Sequence, residues 1–207
     1  MQNLECKNSK CAYSKYILLC VLSISIFFAL YVYVDRPVAE YFAKLHITTL
    51  SSLLEFIGHG LLWIAFFWGC ALILKIIVLR QQLVKWMFSS GLWLSICYVI
   101  CSLLKHIFGR ARPSLWISDH IFGFYGPKLH EPYLSFPSGH TTTFIALALA
   151  FSILLPNYRV YLMLLGVALS CTRIAFIHHY CSDIFGTTMF ILLLFSILKQ
   201  RIFKESL

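Results

Sequence analysis

Ten residues in three short clusters carry most of the groups in this chain that are able to do chemistry. They are Lys105, Arg112, Pro113, Pro137, Ser138, Gly139, His140, Arg173, His179 and Asp183. Together they supply three cations, two imidazoles, a hydroxyl, a glycine turn and a carboxylate. Cations, hydroxyls and the backbone N–H groups at a helix start are common phosphate ligands, so the clusters predict a phosphate site.

The three cations stand at the ends of different apolar segments, and they converge only if those segments pack together. Converged, Lys105, Arg112 and Arg173 would neutralise a phosphate and the charge that develops in phosphoryl transfer. The alternative is that each cation simply extends to the membrane interface, which is common for single Lys and Arg residues at span ends.

The second cluster stands directly before an apolar run, where a helix is expected to begin. Ser138 can cap that helix or donate to a phosphate oxygen, and Gly139 allows close approach of the backbone to an oxyanion. His140 is then placed as an acid for a departing alkoxide. The alternative is an ordinary Ser-Gly helix cap followed by an interfacial histidine.

In the third cluster, His179 and Asp183 are four residues apart, a spacing that puts them on one face of a helix. Asp183 can fix the tautomer of His179 and leave the other ring nitrogen free to attack phosphorus. The alternative is a polar helix cap. The neighbouring His178 is five residues from Asp183 and points to another face, so we prefer His179.

The rest of the chain is too apolar for a soluble domain. Of its 207 residues, 60% are hydrophobic and 12% are charged, and the mean hydropathy is +0.81. Six apolar runs approach the roughly 20 residues that cross a hydrocarbon core. They cover residues 16–34, 57–79, 86–104, 141–155, 160–177 and 184–198. Because the runs do not alternate, we predict an all-α membrane protein with six transmembrane helices in a single domain, residues 1–207.

Basic residues near the span ends predict the orientation of this bundle. Ten lie on the side of the two termini and seven on the other side, and three of those seven belong to the clusters. With these three set aside the ratio is ten to four, so we expect cytoplasmic termini and an outward-facing site. The net charge of +9 is then explained by topology and an anionic site, and nucleic acid is not expected as a partner.

Two connections on the outer side are long enough to have structure of their own. In residues 35–56, Asp35 is expected to cap a helix with Pro37 in its first turn, and the apolar spacing predicts an interfacial helix on the periplasmic side. Residues 105–140 are expected to form an outer active-site loop, whose aromatic residues would shape a headgroup pocket or anchor at the interface. These aromatics are Trp116, Phe122, Phe124, Tyr125, Tyr133 and Phe136.

The spacings Lys-x6-Arg-Pro, Pro-Ser-Gly-His and Arg-x5-His-x3-Asp, in this order, resemble the three signature motifs of the type 2 phosphatidic acid phosphatase superfamily, in its bacterial membrane lipid phosphatase branch. The motif-bearing core covers about residues 100–190. Thr172 stands where a serine usually precedes the third-motif arginine, and Cys181 stands where many members have proline. Neither departure removes a catalytic group.

The resemblance implies a role for each motif residue. His179 would be the nucleophile that forms a phosphohistidine, Asp183 its orienting partner and His140 the general acid for the leaving group. The phosphate would be held by the other polar motif residues, which are Lys105, Arg112, Ser138, Gly139 and Arg173. No metal or other cofactor is implied.

We therefore expect metal-independent hydrolysis of a lipid phosphate or diphosphate at the outer face of the bacterial cytoplasmic (inner) membrane. Undecaprenyl diphosphate, phosphatidylglycerol phosphate, phosphatidate and the phosphates of lipid A remain open as substrates, and no obligatory protein partner is expected. The alternatives are a lipid phosphotransferase that uses the same intermediate and a non-catalytic phospholipid-binding or transport protein. The roles of His178, His59, Glu55 and Glu131 stay open.

Overall fold

The computed structural model describes residues 17–45, 51–77 and 81–204, and these residues are mostly helical. Within them we number eight helices. They are α1 (Ile17–Leu45), α2 (Ser51–Ile57), α3 (Gly60–Ile76), α4 (Gln81–Phe108), α5 (Pro113–Asp119), α6 (Gly139–Leu154), α7 (Arg159–Ala175) and α8 (Cys181–Ile202). A 3-10 turn, Pro156–Tyr158, leads into α7.

Four helical segments are long and apolar enough to cross a membrane: α1, α4, α7 with its preceding 3-10 turn, and α8. The pair α2 and α3 makes a fifth if it is counted as one span bent by 44°. The apolar helix α6 is shorter, at 16 residues. The prediction of an all-α membrane protein is thus confirmed for the described residues, which contain four to five spans by length and composition.

The first part of the predicted interfacial helix is a continuation of α1 and not a separate helix. Residues Asp35–Leu45 continue α1 directly after a π-helical turn, Leu30–Val34. Pro37 follows this turn and lacks the N–H that would bond the carbonyl of Tyr33, so a wider turn suits the backbone here. Residues 46–50 of the predicted interfacial segment lie outside the described ranges.

Asp35 does not cap the helix that we predicted it would begin. Its carboxylate is buried and accepts a hydrogen bond from the backbone N–H of Ser182, at 2.9 Å. Ser182 is in the first turn of α8, where backbone N–H groups have no intrahelical acceptor. Asp35 therefore caps a helix that is distant in sequence, and it ties α1 to the start of α8.

Helix α6 lies at the centre of the bundle and contacts α3, α4, α7 and α8. Eleven of its 16 residues are buried. Trp86 and Trp93 are seven residues apart on one face of α4, and their indole N–H groups donate to the α6 carbonyls of Ala150 at 3.0 Å and Ala146 at 3.1 Å. Small alanines on α6 allow these large rings to approach, and the contacts fix α6 in register against α4.

The connection between α4 and α6 folds back over the end of α4. The reversal begins at Gly109, where φ is +52° and a Cβ would lie 1.8 Å from the carbonyl oxygen of Gly126. Backbone hydrogen bonds then hold the two arms of the loop together, from Ala111 N–H to the Gly123 carbonyl and from Tyr125 N–H to the Gly109 carbonyl. This loop therefore has a defined structure in its own right.

Candidate active site

The first cluster spans the end of α4 and the start of α5. Lys105 is in the last turn of α4, and Arg112 is the N-cap residue of α5, with Pro113 in the first turn. Pro113 suits that position because its ring fixes φ at a helical value and the N–H it lacks would have no partner. Arg112 Nη2 donates to Glu131 Oε1 at 2.6 Å, and the Glu131 side chain is 54% exposed.

The second cluster begins α6 as predicted. Ser138 is the N-cap residue, and its hydroxyl oxygen accepts from the Thr141 N–H at 3.3 Å. The Ser138 N–H donates to Thr187 Oγ1 at 2.9 Å, which connects the start of α6 to α8. A Cβ on Gly139 would lie 3.7 Å from Lys105 Nζ. The first two clusters therefore meet at the start of α6, where backbone N–H groups favour an anion.

His140 lies against the bend between α2 and α3. Its Nε2 is 3.2 Å from the backbone carbonyl oxygen of Glu55, and because a carbonyl only accepts, this nitrogen carries the hydrogen in the contact. A Cβ on Gly58 would lie 2.0 Å from His140 Cδ2. Glu55 thus contributes its backbone, and Gly58 supplies the space that the imidazole occupies; the sequence pattern indicated neither role.

We expect Gly58→Ala to lower the turnover number at least about tenfold, because the added methyl group and the His140 ring cannot both keep their places. Gly69→Ala is the matched control, since a Cβ at Gly69 meets no atom within 4 Å in the described residues. Steady-state phosphate release by the two purified variants measures the difference. Equal activity of Gly58→Ala and the parent protein would contradict the placement of His140.

Arg173, in the last turn of α7, meets His178 of the third cluster. Arg173 Nη2 donates to His178 Nδ1, so this imidazole nitrogen carries no hydrogen. Burial lowers the pKa of His178 to about 4, and the charges of Arg173 and Arg112 act in the same direction. His178 is therefore a neutral residue at pH 7 that orients the Arg173 guanidinium.

His179 and Asp183 lie close together, but not because they share one face of a helix, as we predicted. His179 is not on α8; it precedes Tyr180, which is the N-cap residue of that helix. His179 Nδ1 lies 3.6 Å from Asp183 Oδ2, beyond hydrogen-bond range, and Nδ1 has no hydrogen-bond partner in the described residues. A movement of a few tenths of an ångström would form the bond, and catalytic hydrogen bonds commonly tighten when substrate binds.

Asp183 caps α8, as the helix-cap alternative predicts. Its Oδ2 accepts from the Tyr180 N–H at 2.9 Å and from Ser135 Oγ at 2.7 Å. The two interpretations of Asp183 are therefore compatible, because one carboxylate both caps the helix and faces the imidazole of His179.

His179 is almost fully buried, and burial lowers its pKa to about 3. Asp183 opposes this effect, whereas the charges of Lys105 and Arg112 add to it. At pH 7 the ring is consequently neutral and has a lone pair available, which is the form that a nucleophile requires.

The three clusters come together at one end of the bundle. Lys105 and Arg112 lie within electrostatic range of His179, and Arg173 and Lys105 lie within range of His140. Two nitrogens of Arg173, Nε and Nη1, are buried without a hydrogen-bond partner among the described residues. Three cations, two imidazoles and a helix start are thus gathered, which is an arrangement that suits a phosphate.

No group of three or more His, Cys, Asp and Glu side chains within residues 17–45, 51–77 and 81–204 is placed to hold a metal ion.

Sequence reasoning missed Arg110, which we counted only as a basic residue of the outer side. Its side chain is fully buried, with Nη1 donating to Asp183 Oδ1 at 2.5 Å and Nη2 donating to Asp35 Oδ2 at 2.6 Å. The guanidinium carbon also lies 4.8 to 6.0 Å from the ring centroids of Tyr31, Phe122, Phe124 and Tyr180. Phe122 and Phe124, in the loop between α5 and α6, therefore enclose an ion pair, which we had not predicted for the loop aromatics.

Comparison with curated proteins finds two relatives with the same printed name. One is a lipid A 1-phosphatase of Rhizobium johnstonii, 38% identical over 92 residues, which are 44% of this chain and 38% of the relative. The other is a lipid A 1-phosphatase of Rhizobium etli, also 38% identical over 92 residues, which are 44% of this chain and 40% of the relative. The matched stretch thus spans about two fifths of the length of each relative.

No solved structure matches this chain. The family model described as PAP2 superfamily matches residues 86–206, which is more than half of the chain and includes all three clusters. This match confirms the resemblance noted from the motifs: the chain belongs to the PAP2 superfamily.

Proposed function

We propose that this protein hydrolyses the phosphate ester of a membrane lipid through a phosphohistidine on His179. The observation that carries the proposal is the gathering of Lys105, Arg112 and Arg173 around His140 and a buried, neutral His179. Membership of the PAP2 superfamily supports the reaction class. The arrangement has the parts that phosphoryl transfer needs, namely a nucleophile, an acid and a cationic cradle.

The reaction has two steps. His179 Nε2 attacks phosphorus, the bond from phosphorus to the leaving oxygen breaks, and that oxygen takes the electron pair. A doubly protonated His140, whose positive charge the bound phosphate anion stabilises, gives that oxygen a proton and becomes neutral. Water then attacks the phosphohistidine as it gives a proton to the neutral His140, the N–P bond breaks, and its electron pair returns to Nε2. Asp183 faces Nδ1 and stabilises the positive ring of the intermediate.

The other motif residues hold the phosphate in this proposal. Arg112 and Arg173 contact its oxygens as planar forks, and Lys105 adds a point charge beside the start of α6. Ser138 and Gly139 contribute the helix start itself. Arg112 exchanges its exposed partner Glu131 for the phosphate at little cost, because a pair that is open to water is weak.

Lipid A phosphates come first among the four substrate classes, because two relatives are named lipid A 1-phosphatase. An apolar groove of about 300 Å³ beside α6 supports a substrate with hydrocarbon tails. It is lined by ten residues, among them Ile57 and Phe144, and Phe144 is one helical turn beyond His140. A lipid whose phosphate meets His140 would place its tails toward this groove.

The topology is part of the proposal. Six crossings, made by α1, the bent pair α2 and α3, α4, α6, α7 and α8, put both termini in the cytoplasm. The site then faces outward from the bacterial inner membrane. The excess of basic residues at the opposite end of the bundle supports this orientation.

Phosphate release tests the function directly. The purified protein in detergent, with excess chelator, is expected to release inorganic phosphate from lipid A, and more slowly from phosphatidate, phosphatidylglycerol phosphate or undecaprenyl diphosphate. His140→Ala is expected to lose at least about 100-fold in rate, because general acid catalysis contributes 10²- to 10⁴-fold. Activity that disappears with chelator and returns with Mg²⁺ would contradict the mechanism.

Labelled substrate separates hydrolysis from the alternatives. With a ³²P-labelled donor and a second lipid present, label is expected in inorganic phosphate. Label that moves to the second lipid would identify a phosphotransferase. Tight binding of the donor without any release would identify a binding protein.

A further inference from the structure

A buried ion network lies behind the His179 and Asp183 pair. Arg110 bridges Asp183 and Asp35, and all three side chains have zero exposure. Ser182 strengthens the far end, since its N–H and Oγ donate to the Asp35 carboxylate at 2.9 and 2.5 Å. One guanidinium thus serves two carboxylates, and the three ionised side chains together carry a net charge of −1.

The net charge decides what Asp183 is able to do for His179. A carboxylate paired one to one with a guanidinium forms a neutral group, which gives little stabilisation to a cation beside it. Lys105 and Arg112 already act against a positive charge on His179. Asp35, the second carboxylate on Arg110, gives the network a net negative charge, which Asp183 and Arg110 alone would not have.

We propose that Asp35 is a positioning residue for the reaction at His179: acting through Arg110, its carboxylate keeps the network negative, so that Asp183 stabilises the positive ring of the phosphohistidine. Asp35 lies on α1, outside the residues 86–206 matched by the family model, and it comes 144 positions before His179 in the chain. This inference rests on the proposed function.

Two substitutions at Asp35 separate charge from shape. Asp35→Asn keeps the shape and one oxygen, which can accept from the Ser182 N–H, but it removes the charge and replaces the oxygen that accepts from Arg110 and Ser182 Oγ by an amide donor. Asp35→Glu keeps the charge and both acceptor oxygens and changes the shape. We expect Asp35→Asn to lower both the turnover number and the rate of phosphohistidine formation about 10- to 100-fold. KM is expected to stay within about threefold of the parent value, because Asp35 does not touch the substrate.

Asp35→Glu is expected to retain the turnover number to within about fivefold. A purely structural role predicts instead that each variant loses turnover number in proportion to its loss of thermal stability, so that Asp35→Asn and Asp35→Glu variants of equal melting temperature are equally active. The measurements are single turnovers with ³²P-labelled lipid phosphate, quenched in alkaline denaturant because phosphohistidine is labile in acid. Thermal unfolding is measured in parallel in the same detergent.

The double variant Asp35→Asn with Arg110→Gln provides a second test. It removes one negative and one positive charge and leaves Asp183 as the single charge of the network. The amount of phosphohistidine formed in the first turnover counts the active protein in each preparation. With the turnover number corrected for this amount, we expect the double variant to be faster than Asp35→Asn alone. A double variant that is no faster than the single one, or an Asp35→Asn variant as fast as the parent, would overturn the proposal.

Experiments on the parent protein and on Asp35→Asn distinguish failure of the His179 mechanism from failure of the role of Asp35. A parent protein that releases phosphate without a phosphohistidine on His179 contradicts the proposed mechanism and the role of Asp35 with it. A parent protein that forms the phosphohistidine, together with an Asp35→Asn variant of equal rate, contradicts the role of Asp35 alone.

Discussion

Replacement of His179 by alanine is expected to lower phosphate release from the lipid substrate at least about 10⁴-fold, which is typical for the loss of a nucleophile that acts within a catalytic unit. The physical reason is that His179 is a buried, neutral imidazole that lies beside Asp183 and within electrostatic range of Lys105 and Arg112. Trapping with ³²P-labelled substrate is expected to give an acid-labile phosphohistidine in the parent protein and none in His179→Ala.

The neighbouring histidine provides the matched comparison. His178 contacts Arg173 through Nδ1, so His178→Ala is expected to weaken substrate binding and to cost about tenfold or less, with the phosphohistidine retained. The exposed His130, replaced in the same way, is expected to leave the rate unchanged. Phosphohistidine formation that persists in His179→Ala but is lost in His178→Ala would reassign the nucleophile.

The largest effect on stability is expected at Arg110. Arg110→Ala leaves Asp35 and Asp183 buried without their countercharge, and removal of one partner from a buried ion pair typically costs about 3–5 kcal/mol. For a chain of this size that loss corresponds to a fall in melting temperature on the order of 10 °C. Thermal unfolding of the purified variant in detergent measures it.

Arg112→Ala is the control for this prediction, because it lies two residues away in the same loop. Its side chain is 23% exposed and its partner Glu131 is 54% exposed, so the pair is open to water. An exposed pair contributes about 0–1 kcal/mol, and we expect Arg112→Ala to unfold within a few degrees of the parent protein while losing activity. Equal destabilisation by the two substitutions would show that the Arg110 network contributes little to stability.

Much of the architecture could be predicted from the sequence, because long apolar runs have few structural solutions in a membrane. The three clusters could be placed near one another for a related reason, since each stands at the end of such a run. The start of α6 at Gly139 followed from Ser138, whose hydroxyl is a good N-cap.

The features that could not be predicted depend on contacts between distant segments. Asp35 and Arg110 are 75 residues apart. Asp35 had a local interpretation as a helix cap, and Arg110 was only one of the seven basic residues counted on the outer side. His179 was placed on a helix because of its spacing from Asp183, although the helix begins only after Tyr180. The four-residue spacing did not reveal where the helix starts, because Asp183 fits this spacing whether it caps the helix from its first turn or shares a helical face with His179.

The register of α4 against α6 sets how deep the phosphate cradle lies. Cys101 of α4 is level with the start of α6, since its Sγ lies 3.7 Å from the Pro137 carbonyl and the Thr142 hydroxyl donates to it at 3.2 Å. Helix α4 continues from there to Phe108, a further rise of about 10 Å. Ser138 and Gly139 therefore lie about two helical turns below the end of α4. At this level Ser138 is fully buried and His179 is 3% exposed, so ionic contacts here are strengthened by a local dielectric lower than that of bulk water.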